Sequence, residues 1–398
     1  MKSTVRDDNV LPAGFKAAGV RAGIKRRTAK DMALLVSDLP ATVAGVFTSN
    51  RVAAAPVHLC RERVRGGTAC AVIVNSGNAN ACTGKAGMAD AKKMAGFAAK
   101  GLGVKAETVF VCSTGHIGVR LPMDVIERGV EKLLGELSER GGRNAAEAIM
   151  TTDVRPKYRT VRLRIDGKPV TISGLAKGSG MIEPNMATML CFLMTDAAVE
   201  RKALQTALKE AVDQSFNRIT VDGDESTNDT VLFMANGAAG NRPLNRKHPD
   251  WAKFTAALHG IALELALAIV GDGEGATKII TVQVRGAADD RDADRAARAI
   301  ANSFLVKTSW AGKRPNWGRI MDAVGYSGAR VDPEKVDIFF GEIQATRNGV
   351  AAGADIEDLK SVIAGDEFTI TVDLDLGEGA AVIYTCEITE EYVRINVK

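Results

Sequence analysis

Short apolar runs, each bounded by turn residues, recur along the first two thirds of the chain. Runs of about four to eight apolar residues between turn residues are typical of β-strands. They do not alternate with helices in the regular βαβ rhythm of a doubly wound sheet, so the pattern favours a layered α+β fold. The predicted strands are Asp31–Val36, Ala44–Phe47, Ala71–Asn75, Thr108–Cys112, Thr188–Thr195, Thr230–Met234 and a hairpin of Arg159–Ile165 with Val170–Ile172.

Helical periodicity predicts five helices, and a change in the sequence pattern near Gly286 predicts a domain boundary. Gly141-Gly142 is a natural C-cap for the second predicted helix. After Gly286 the sequence begins with a charged segment that is typical of a helix start, and mixed strands follow. This change predicts a larger domain 1–285 and a smaller α+β domain 286–398. The predicted helices are Gly87–Leu102, Met123–Arg140, Glu200–Phe216, Trp251–Val270 and a start at Asp289–Arg298, and the later strands are Val336–Ala345, Phe368–Leu374 and Val382–Glu387.

Composition excludes several functional classes. Apolar residues make up 46% and charged residues 25% of the 398, as in ordinary globular proteins, and a net charge of +4 without a basic run argues against nucleic-acid binding. The six cysteines show no CxxC spacing and the four histidines no paired motif, so neither a zinc site nor another cofactor is predicted. The start of the chain lacks a secretory signal, and no run approaches the ~20 apolar residues of a membrane span. We therefore expect a soluble cytoplasmic protein.

The segment from Lys177 to Phe192 carries the strongest chemical signal. Its glycine-rich loop runs past Pro184 directly into Thr188, which opens an apolar strand. A hydroxyl there is placed to attack the preceding carbonyl, and the resulting ester would hydrolyse between Ala187 and Thr188. Thr188 would then be an N-terminal nucleophile with its own α-amine as base. The alternative is ordinary turn chemistry followed by a strand threonine.

A second polar segment, Val111–Gly118, follows a predicted strand. Thr114 and Gly115 supply a hydroxyl and an amide, the groups that form an oxyanion hole. A rival interpretation makes Cys112 or Ser113 a nucleophile served by His116. It is disfavoured because neighbouring residues in a strand point to alternate faces. A plain polar turn is the remaining alternative.

Other turns are weaker signals. The acidic segment Thr220–Thr230 lacks calcium-loop spacing, which favours a hydrogen-bonded loop near a site. Gly271–Lys278 does not match a phosphate-binding motif, and its Glu274 is suited to a cationic substrate group. Asn75–Asn80 and Pro315–Gly318 either line a pocket or are simple turns.

Together these segments resemble the ornithine acetyltransferases, also called glutamate N-acetyltransferases, of arginine biosynthesis. The resemblance covers essentially the whole chain, and Glu183–Thr188 is its most specific part. The matching stretches are Ala18–Ile24, Gly45–Arg51, Asn75–Asn80, Ser113–Gly118, Lys177–Leu190, Ser215–Asp224, Ser226–Asp229, Gly271–Lys278, Pro315–Ile320, Gly325–Gly328 and Tyr392–Asn396.

The resemblance implies a precursor that cuts itself into an α chain, 1–187, and a β chain, 188–398, which assemble as two copies of each. It implies helices flanking stacked sheets, and a ping-pong reaction in which N2-acetyl-L-ornithine acetylates Thr188 and L-glutamate removes the acetyl group. Acetyl-CoA is an additional donor in some members, and the sequence leaves its use open. Thr114 and Gly115 match the family's oxyanion hole, and Thr152, Lys177, Thr188, Glu274 and Asn396 match its substrate contacts.

Two features depart from the family pattern. The chain stops at Lys398, two residues after Asn396, where the family tail normally continues to a small hydroxyl residue. His116 occupies a position that is commonly apolar. Two other functions also remain as alternatives: a self-processed N-terminal-threonine amidase or aminopeptidase, and an uncut amino-acid-binding protein.

Overall fold

The computed structural model describes residues 5–6, 8–25, 28–183 and 189–397, which form two compact units. The first contains the described residues up to 217 together with 224–269, and the second contains 218–223 and the described residues from 270 onward. Each unit has one mixed sheet with helices packed on it, so the predicted α+β class is confirmed. The second unit begins before residue 286 because the strand Ile279–Ala287 pairs with strands of that unit.

The first unit is built on an eight-stranded sheet. The strand order is β4-β3-β2-β8-β7-β6-β5, and β1 also pairs with β2. The pairs β3–β4 and β7–β8 are parallel and the others are antiparallel. The strands are β1 Phe15–Val20, β2 Met32–Phe47, β3 Thr68–Asn78, β4 Val109–His116, β5 Lys157–Ile165, β6 Lys168–Lys177, β7 Leu190–Thr195 and β8 Thr230–Ala235.

Helices cover both faces of this sheet. Ile73 of β3 packs in one core with residues of α2 and α3, whereas Val72 and Val74 pack in another core with residues of α4. Because successive side chains of a strand alternate between faces, strands buried on both sides read as continuous apolar runs. The helices are α1 Ala55–Arg63, α2 Gly84–Leu102, α3 Met123–Gly135, α4 Gly142–Ala148, α5 Arg201–Asp213 and α6 Trp251–Val270.

Two predicted strands prove to be one. The first half of β2 pairs with β1 and β3, and its second half, from Thr42, pairs with β8. The predicted strands Asp31–Val36 and Ala44–Phe47 are therefore the two ends of a single bent strand.

The predicted helix Met123–Arg140 is wrong in its last turn, because α3 ends at Gly135. Ser138 instead exchanges backbone hydrogen bonds of 2.9 and 3.0 Å with Ala17, which makes the chain extended there. Gly141 is not a C-cap. A Cβ at Gly141 would lie 1.8 Å from the Ala17 carbonyl oxygen, so this glycine permits a close approach of two backbones.

Helix α6 is the one helix in the described ranges that is long and apolar enough to cross a membrane, contrary to the expectation from sequence. Half of its most apolar window is buried within the protein. Phe254 stacks on Phe233 of β8 with ring centroids 6.3 Å apart. A Cβ at Gly174 of β6 would lie 2.7 Å from Leu265, so the helix packs closely on the sheet as a core helix does.

The second unit has a six-stranded sheet in the order β12-β11-β10-β13-β9-β14, in which β9 and β13 are parallel. Its core includes Trp310, which meets Phe368 edge to face. Residue Ile219 of the inserted segment 218–223 bridges to Tyr384. The elements are β9 Ile279–Ala287, α7 Asp290–Asn302, α8 Phe304–Ala311, α9 Trp317–Tyr326, β10 Asp337–Phe340, β11 Ile343–Arg347, β12 Val350–Ala351, α10 Ile356–Ala364, β13 Glu367–Asp373, β14 Gly379–Thr385 and α11 Glu390–Asn396.

Candidate active site

Two residues predicted from distant segments lie together at strand ends of the first unit. Lys177 is the last residue of β6 and Thr114 lies near the end of β4. The Lys177 Nζ is 3.5 Å from the Thr114 Oγ1, and both residues are only 2% exposed. A hydroxyl that accepts a hydrogen bond from a buried ammonium keeps its own proton available for another acceptor.

A buried carboxylate that sequence reasoning missed completes this group. Asp153 lies 4.0 Å from the Lys177 ammonium and accepts a 2.7 Å hydrogen bond from Lys157. It also accepts the backbone amides of Thr151 and Gly178. We call Thr114, Asp153, Lys157 and Lys177 the Lys177 cluster. Only the Lys157–Asp153 spacing of four residues hinted at it in the sequence.

Electrostatics of the Lys177 cluster keep Asp153 charged. Burial by itself raises the pKa of Asp153, but the charges of Lys177 and Lys157 and the hydrogen bonds outweigh it and hold that pKa well below its usual range. The carboxylate is therefore ionised and faces the side chains of both Lys157 and Lys177. Thr152, a predicted substrate contact, is exposed in the same turn as Asp153.

Gly115 has a conformation that only glycine fits. Its φ is +132°, and a Cβ would lie 2.3 Å from the carbonyl carbon of Gly77 in the neighbouring strand β3. The β3–β4 pairing is irregular at this point, between Gly77 and Asn78. Such irregularities locally disrupt the ladder at functional positions of many sheets.

Buried amide side chains hold the two strand ends in place. Asn75 accepts a 2.6 Å hydrogen bond from the Ser113 hydroxyl and donates to the Asn78 carbonyl. Asn228, from the acidic loop, donates to the carbonyls of Ala79 and Ser113. Asn75 and Asn228 thus hold Ser113, the residue before Thr114, with hydrogen bonds from two segments.

The rival nucleophiles are poorly placed. Burial raises the pKa of the Cys112 thiol well above its ordinary value, so it is a neutral core thiol. The Ser113 hydroxyl is buried and donates to Asn75, while His116 is exposed. Among the described residues, neither Cys112 nor Ser113 has an adjacent base.

The predicted junction, Ala187 and Thr188, lies outside the described residues. In the next residue, Met189, both the backbone amide and the backbone carbonyl form hydrogen bonds. Its amide donates to the Asp229 carboxylate at 2.7 Å, and its carbonyl accepts the Thr230 amide at 3.2 Å.

Lys25 and Asp31 are further charged groups that sequence reasoning missed. The Asp31 carboxylate accepts backbone amides of residues 22–25 at 2.6 to 3.1 Å, which folds the loop after β1. Lys25 donates to the carbonyls of Met150 and Lys30. Burial lowers the pKa of Lys25 to about 8, partly offset by Asp31 and Asp153. Lys25 thereby ties this loop to the turn that carries Asp153.

Two predicted substrate contacts lie together within the second unit. The Asn396 amide donates a 2.5 Å hydrogen bond to the Glu274 carboxylate, and Glu274 is 8% exposed. Thr389, just before α11, donates to the Gly275 carbonyl. A Cβ at Gly275 would lie 2.8 Å from the Tyr392 nitrogen, so the glycine turn allows α11 to lie against it.

One group in the described ranges has metal-ligand chemistry, namely Asp166, His248 and Asp250. The guanidinium of Arg242 donates to Asp166 at 2.6 Å, and His248 lies 3.3 Å from the same carboxylate. Arg242 therefore already compensates the charge of Asp166.

A comparison with known proteins identifies the family. The model of the ArgJ family matches residues 16–398. The chain belongs to the ArgJ family. The arginine biosynthesis bifunctional protein ArgJ of Geobacter sulfurreducens is 51% identical over 384 residues, which cover 96% of this ArgJ-family chain and 98% of that protein.

Two solved structures are similar to this chain. The crystal structure of the arginine biosynthesis bifunctional protein ArgJ from Bacillus halodurans is 45% identical with a TM-score of 0.50, covering 52% of this chain and 97% of that one. The ornithine acetyltransferase of Mycobacterium tuberculosis, complexed with ornithine, is 44% identical with a TM-score of 0.44, covering 46% of this chain and 98% of that one.

Proposed function

We propose that this chain transfers the acetyl group of N2-acetyl-L-ornithine to L-glutamate, with Thr188 as the acetyl carrier. Family membership makes the chain an acetyltransferase of arginine biosynthesis, as predicted from the sequence. The observation that carries the residue assignment is the buried contact between Lys177 and Thr114, which joins two predicted site residues that lie 63 positions apart.

The first step is self-cleavage between Ala187 and Thr188. The Thr188 hydroxyl attacks the Ala187 carbonyl carbon, the amide bond breaks as its nitrogen takes a proton, and water hydrolyses the resulting ester. Size supports this step. The match to the solved Bacillus halodurans chain covers 97% of that chain but only 52% of the present one. Residues 188–398 likewise make up slightly more than half of the present chain.

Acetyl transfer then uses the same hydroxyl twice. The Thr188 Oγ attacks the acetyl carbonyl, ornithine leaves with the proton held by the Thr188 α-amine, and an acetyl ester remains. The glutamate amine attacks this ester and regenerates the hydroxyl. Thr114 and the Gly115 amide are proposed to stabilise the oxyanion in both steps, where one donor contributes about 3 to 4 kcal/mol.

Charge complementarity assigns the substrate ends. Both substrates carry an α-carboxylate, and we assign it to the buried Lys177 side chain, which lies beside Thr114. Thr152 is proposed as a further contact. Glu274, with Asn396 as its hydrogen-bond partner, is proposed to meet the terminal ammonium of ornithine. The two-α, two-β assembly and the cytoplasmic location remain proposals from the family resemblance.

The test combines an intact mass spectrum with product analysis. We expect two fragments, ending at Ala187 and starting at Thr188, and acetylation of the second by N2-acetylornithine alone. Addition of ¹⁵N-glutamate should release ¹⁵N-labelled acetylglutamate. Release of free acetate instead would favour the amidase, and a single 42.1 kDa species without transfer would favour the binding protein.

Variants assign the individual roles. Thr188→Ala should stay uncut and inactive, whereas Thr188→Ser should still be cut. Gly115→Ala should slow transfer, while the control Gly118→Ala, at φ +84° with open space around its Cβ, should not. Glu274→Gln should slow the ornithine half-reaction more than the glutamate half-reaction. Equal slowing would contradict the assignment of Glu274.

Acetyl-CoA as a second donor is the other candidate activity. The relatives' name includes the word bifunctional, which favours a second reaction. Acetylation of the Thr188 fragment by acetyl-CoA without N2-acetylornithine would establish it, and no acetylation would exclude it.

A further inference from the structure

The glycine turn Gly271–Lys278, which carries Glu274, is hydrogen-bonded to residues 387–396 of the same unit. We call residues 387–396 the C-terminal arm. The Thr389 hydroxyl of this arm donates a 2.8 Å hydrogen bond to the carbonyl of Gly275, the residue directly after Glu274. A Cβ at Gly275 would lie 2.9 Å from that hydroxyl oxygen. The arm and the turn are therefore in close contact next to Glu274.

The Thr389 side chain does not serve its own helix. Thr389 is the N-cap residue of α11, a position where threonine is favoured because its oxygen can accept an amide of the first turn. In α11, all of which the structure describes, the Thr389 side chain caps no such amide. Its hydroxyl is directed to the Gly275 carbonyl instead, so its hydrogen bond stabilises the turn.

Glu387 forms a second contact between the arm and the turn. It is 1% exposed, and its Oε1 accepts both the backbone amide and the hydroxyl of Thr277 at 2.7 Å. Its Oε2 is buried and has no hydrogen-bond partner among the described residues. Buried polar atoms are normally hydrogen-bonded, so a carboxyl group with an unpartnered oxygen calls for an explanation. Holding the end of the turn at Thr277 supplies one.

The third contact reaches Glu274 itself. The Asn396 side-chain amide donates to the Glu274 carboxylate at 2.5 Å and to the Tyr392 carbonyl of α11 at 3.0 Å. The orientation of Asn396 is therefore fixed by the backbone of α11. The position of the Glu274 carboxylate thus depends on how the arm lies on the turn.

We propose that Thr389 and Glu387 are positioning residues for Glu274, and that they determine selectivity for a donor with a terminal ammonium group. Thr389 acts through the Gly275 carbonyl and Glu387 acts through Thr277. A displacement of about 1 Å in a site can cost on the order of 100-fold in rate, so small shifts of the turn matter. This inference rests on the proposed contact between Glu274 and the ammonium group of ornithine.

The experiment compares two donors, N2-acetyl-L-ornithine and N2-acetyl-L-norvaline. Norvaline has the carbon chain of ornithine with a hydrogen in place of the terminal amino group. The ratio of the two kcat/KM values, with ¹⁵N-glutamate as acceptor, measures selectivity for the ammonium group. A partial loss of folded enzyme lowers both values equally and leaves the ratio unchanged. The ratio therefore responds to positioning of Glu274 and not to stability.

Two threonine variants form a matched pair. Thr389→Val and Thr346→Val each remove a hydroxyl that donates to a distant backbone carbonyl of the second unit. Thr346 lies on β11, three strands and about 14 Å across the sheet from β9, which follows the turn. We expect Thr389→Val to lower the ratio at least about threefold, as the loss of one hydrogen bond predicts. Thr346→Val should leave the ratio within about 1.5-fold of the unmodified value, because it does not touch the turn.

Two substitutions of Glu387 test the acceptor. Glu387→Gln keeps an oxygen for Thr277, whereas Glu387→Leu removes it. We expect the leucine variant to lower the ratio at least about fivefold and the glutamine variant to stay within about twofold of the unmodified value. In a chain that already carries Glu274→Gln, neither Glu387→Leu nor Thr389→Val should lower the ratio further, because the group that they position is gone.

The outcomes separate the two claims. An unmodified chain without transfer activity overturns the proposed function. Equal use of the two donors, or an unchanged ratio in Glu274→Gln, overturns the proposed ammonium contact. If Glu274→Gln lowers the ratio but Thr389→Val and Glu387→Leu do not, only the positioning role is overturned.

Two further results would also overturn the positioning role. One is an equal decrease in Thr346→Val, and the other is a further decrease when Thr389→Val is added to Glu274→Gln. Either result would mean that the effect does not pass through Glu274. Circular dichroism checks the folding of each variant, and Thr389→Val decides alone if Glu387→Leu does not fold.

Discussion

Asp153 and Asp229 are two buried carboxyl groups with opposite electrostatic states. Asp153 faces two lysines and accepts two backbone amides, and its pKa lies well below the usual range. Asp229 accepts one backbone amide from the described part of the chain, and its pKa lies well above that range. Burial acts on both in the same direction, so the compensating groups decide the outcome. One carboxyl group is therefore held charged between two lysines, and the other is a hydrogen-bond acceptor for the backbone.

The largest expected effect is on Asp153. Asp153→Asn removes the buried carboxylate that faces both Lys157 and Lys177, and we expect it to lower the free energy of unfolding by about 3 to 5 kcal/mol. Urea unfolding at pH 7 measures this. Asp124→Asn, which breaks the exposed pair with Arg128, is the control and should change stability by less than about 1 kcal/mol. If the two variants lowered the free energy of unfolding equally, burial of the Asp153 pair would not explain its contribution to stability.

Lys157→Met tests whether the positive charge of Lys157 is the reason that the pKa of Asp153 is low while that of Asp229 is high. Without Lys157, Asp153 keeps Lys177 at 4.0 Å and becomes more like Asp229. We expect a loss of about 1.5 to 3 kcal/mol, the range for a hydrogen bond to a charged group, and a higher pKa of Asp153. Acid titration followed by circular dichroism should then show unfolding at a higher pH. An unchanged acid midpoint would mean that Lys157 does not set the pKa.

The pH dependence should have opposite signs in the two regions. Asp153 has a lowered folded-state pKa, so its stabilising contribution is present above the unfolded pKa of about 3.9 and is lost as pH falls below it. Asp229 has a raised folded-state pKa, so its contribution is present below about pH 3.9 and is lost as pH rises through the folded value.

Asp229→Asn should therefore gain stability relative to the unmodified chain as pH rises from 4 to 7. Asp153→Asn should lose stability relative to it as pH rises from about 2 to 5. Urea midpoints across these ranges measure both slopes. Slopes of the same sign would contradict the assigned charge states.

The smallest expected effect concerns Lys25, a partly exposed cation beside the turn that carries Asp153. Its pKa is lowered to about 8 by burial, against Asp31 and Asp153 and together with Lys177. The unfolded chain therefore binds more protons between about pH 8 and pH 10.4, and folding stability should rise with pH in that window. Lys25→Met should lack this rise in urea midpoints. If the variant retains it, another group is responsible.

Local pattern predicted much of the secondary structure. Helix α6 has the predicted bounds Trp251–Val270, and the hairpin of β5 and β6 turns at Asp166 and Gly167, both with positive φ. The failure at Met123–Arg140 shows the limit of periodicity. Ser138 leaves the helical conformation because its backbone pairs with Ala17, a residue more than a hundred positions earlier. Such a pairing has no local signature.

The candidate site shows the same division. Motif resemblance selected Thr114, Gly115, Lys177, Glu274 and Asn396, and the structure places Thr114 beside Lys177 and Glu274 beside Asn396. Motif resemblance did not select Asp153, Asp229 or Lys25 as site residues. Asp229 lies in the matching stretch Ser226–Asp229, but no motif indicates its role, because the roles of all three residues depend on groups supplied by distant strands and turns.

The sequence by itself determined the family, the α+β class and the chemical identity of the predicted nucleophile, because these follow from local motifs and periodicity. Only the tertiary structure decided which buried acid is charged. Asp153 and Asp229 are the same residue type, each beside a strand, and nothing local distinguishes them. The pKa of a buried group depends on the number and sign of its neighbours, and strand pairing sets those neighbours.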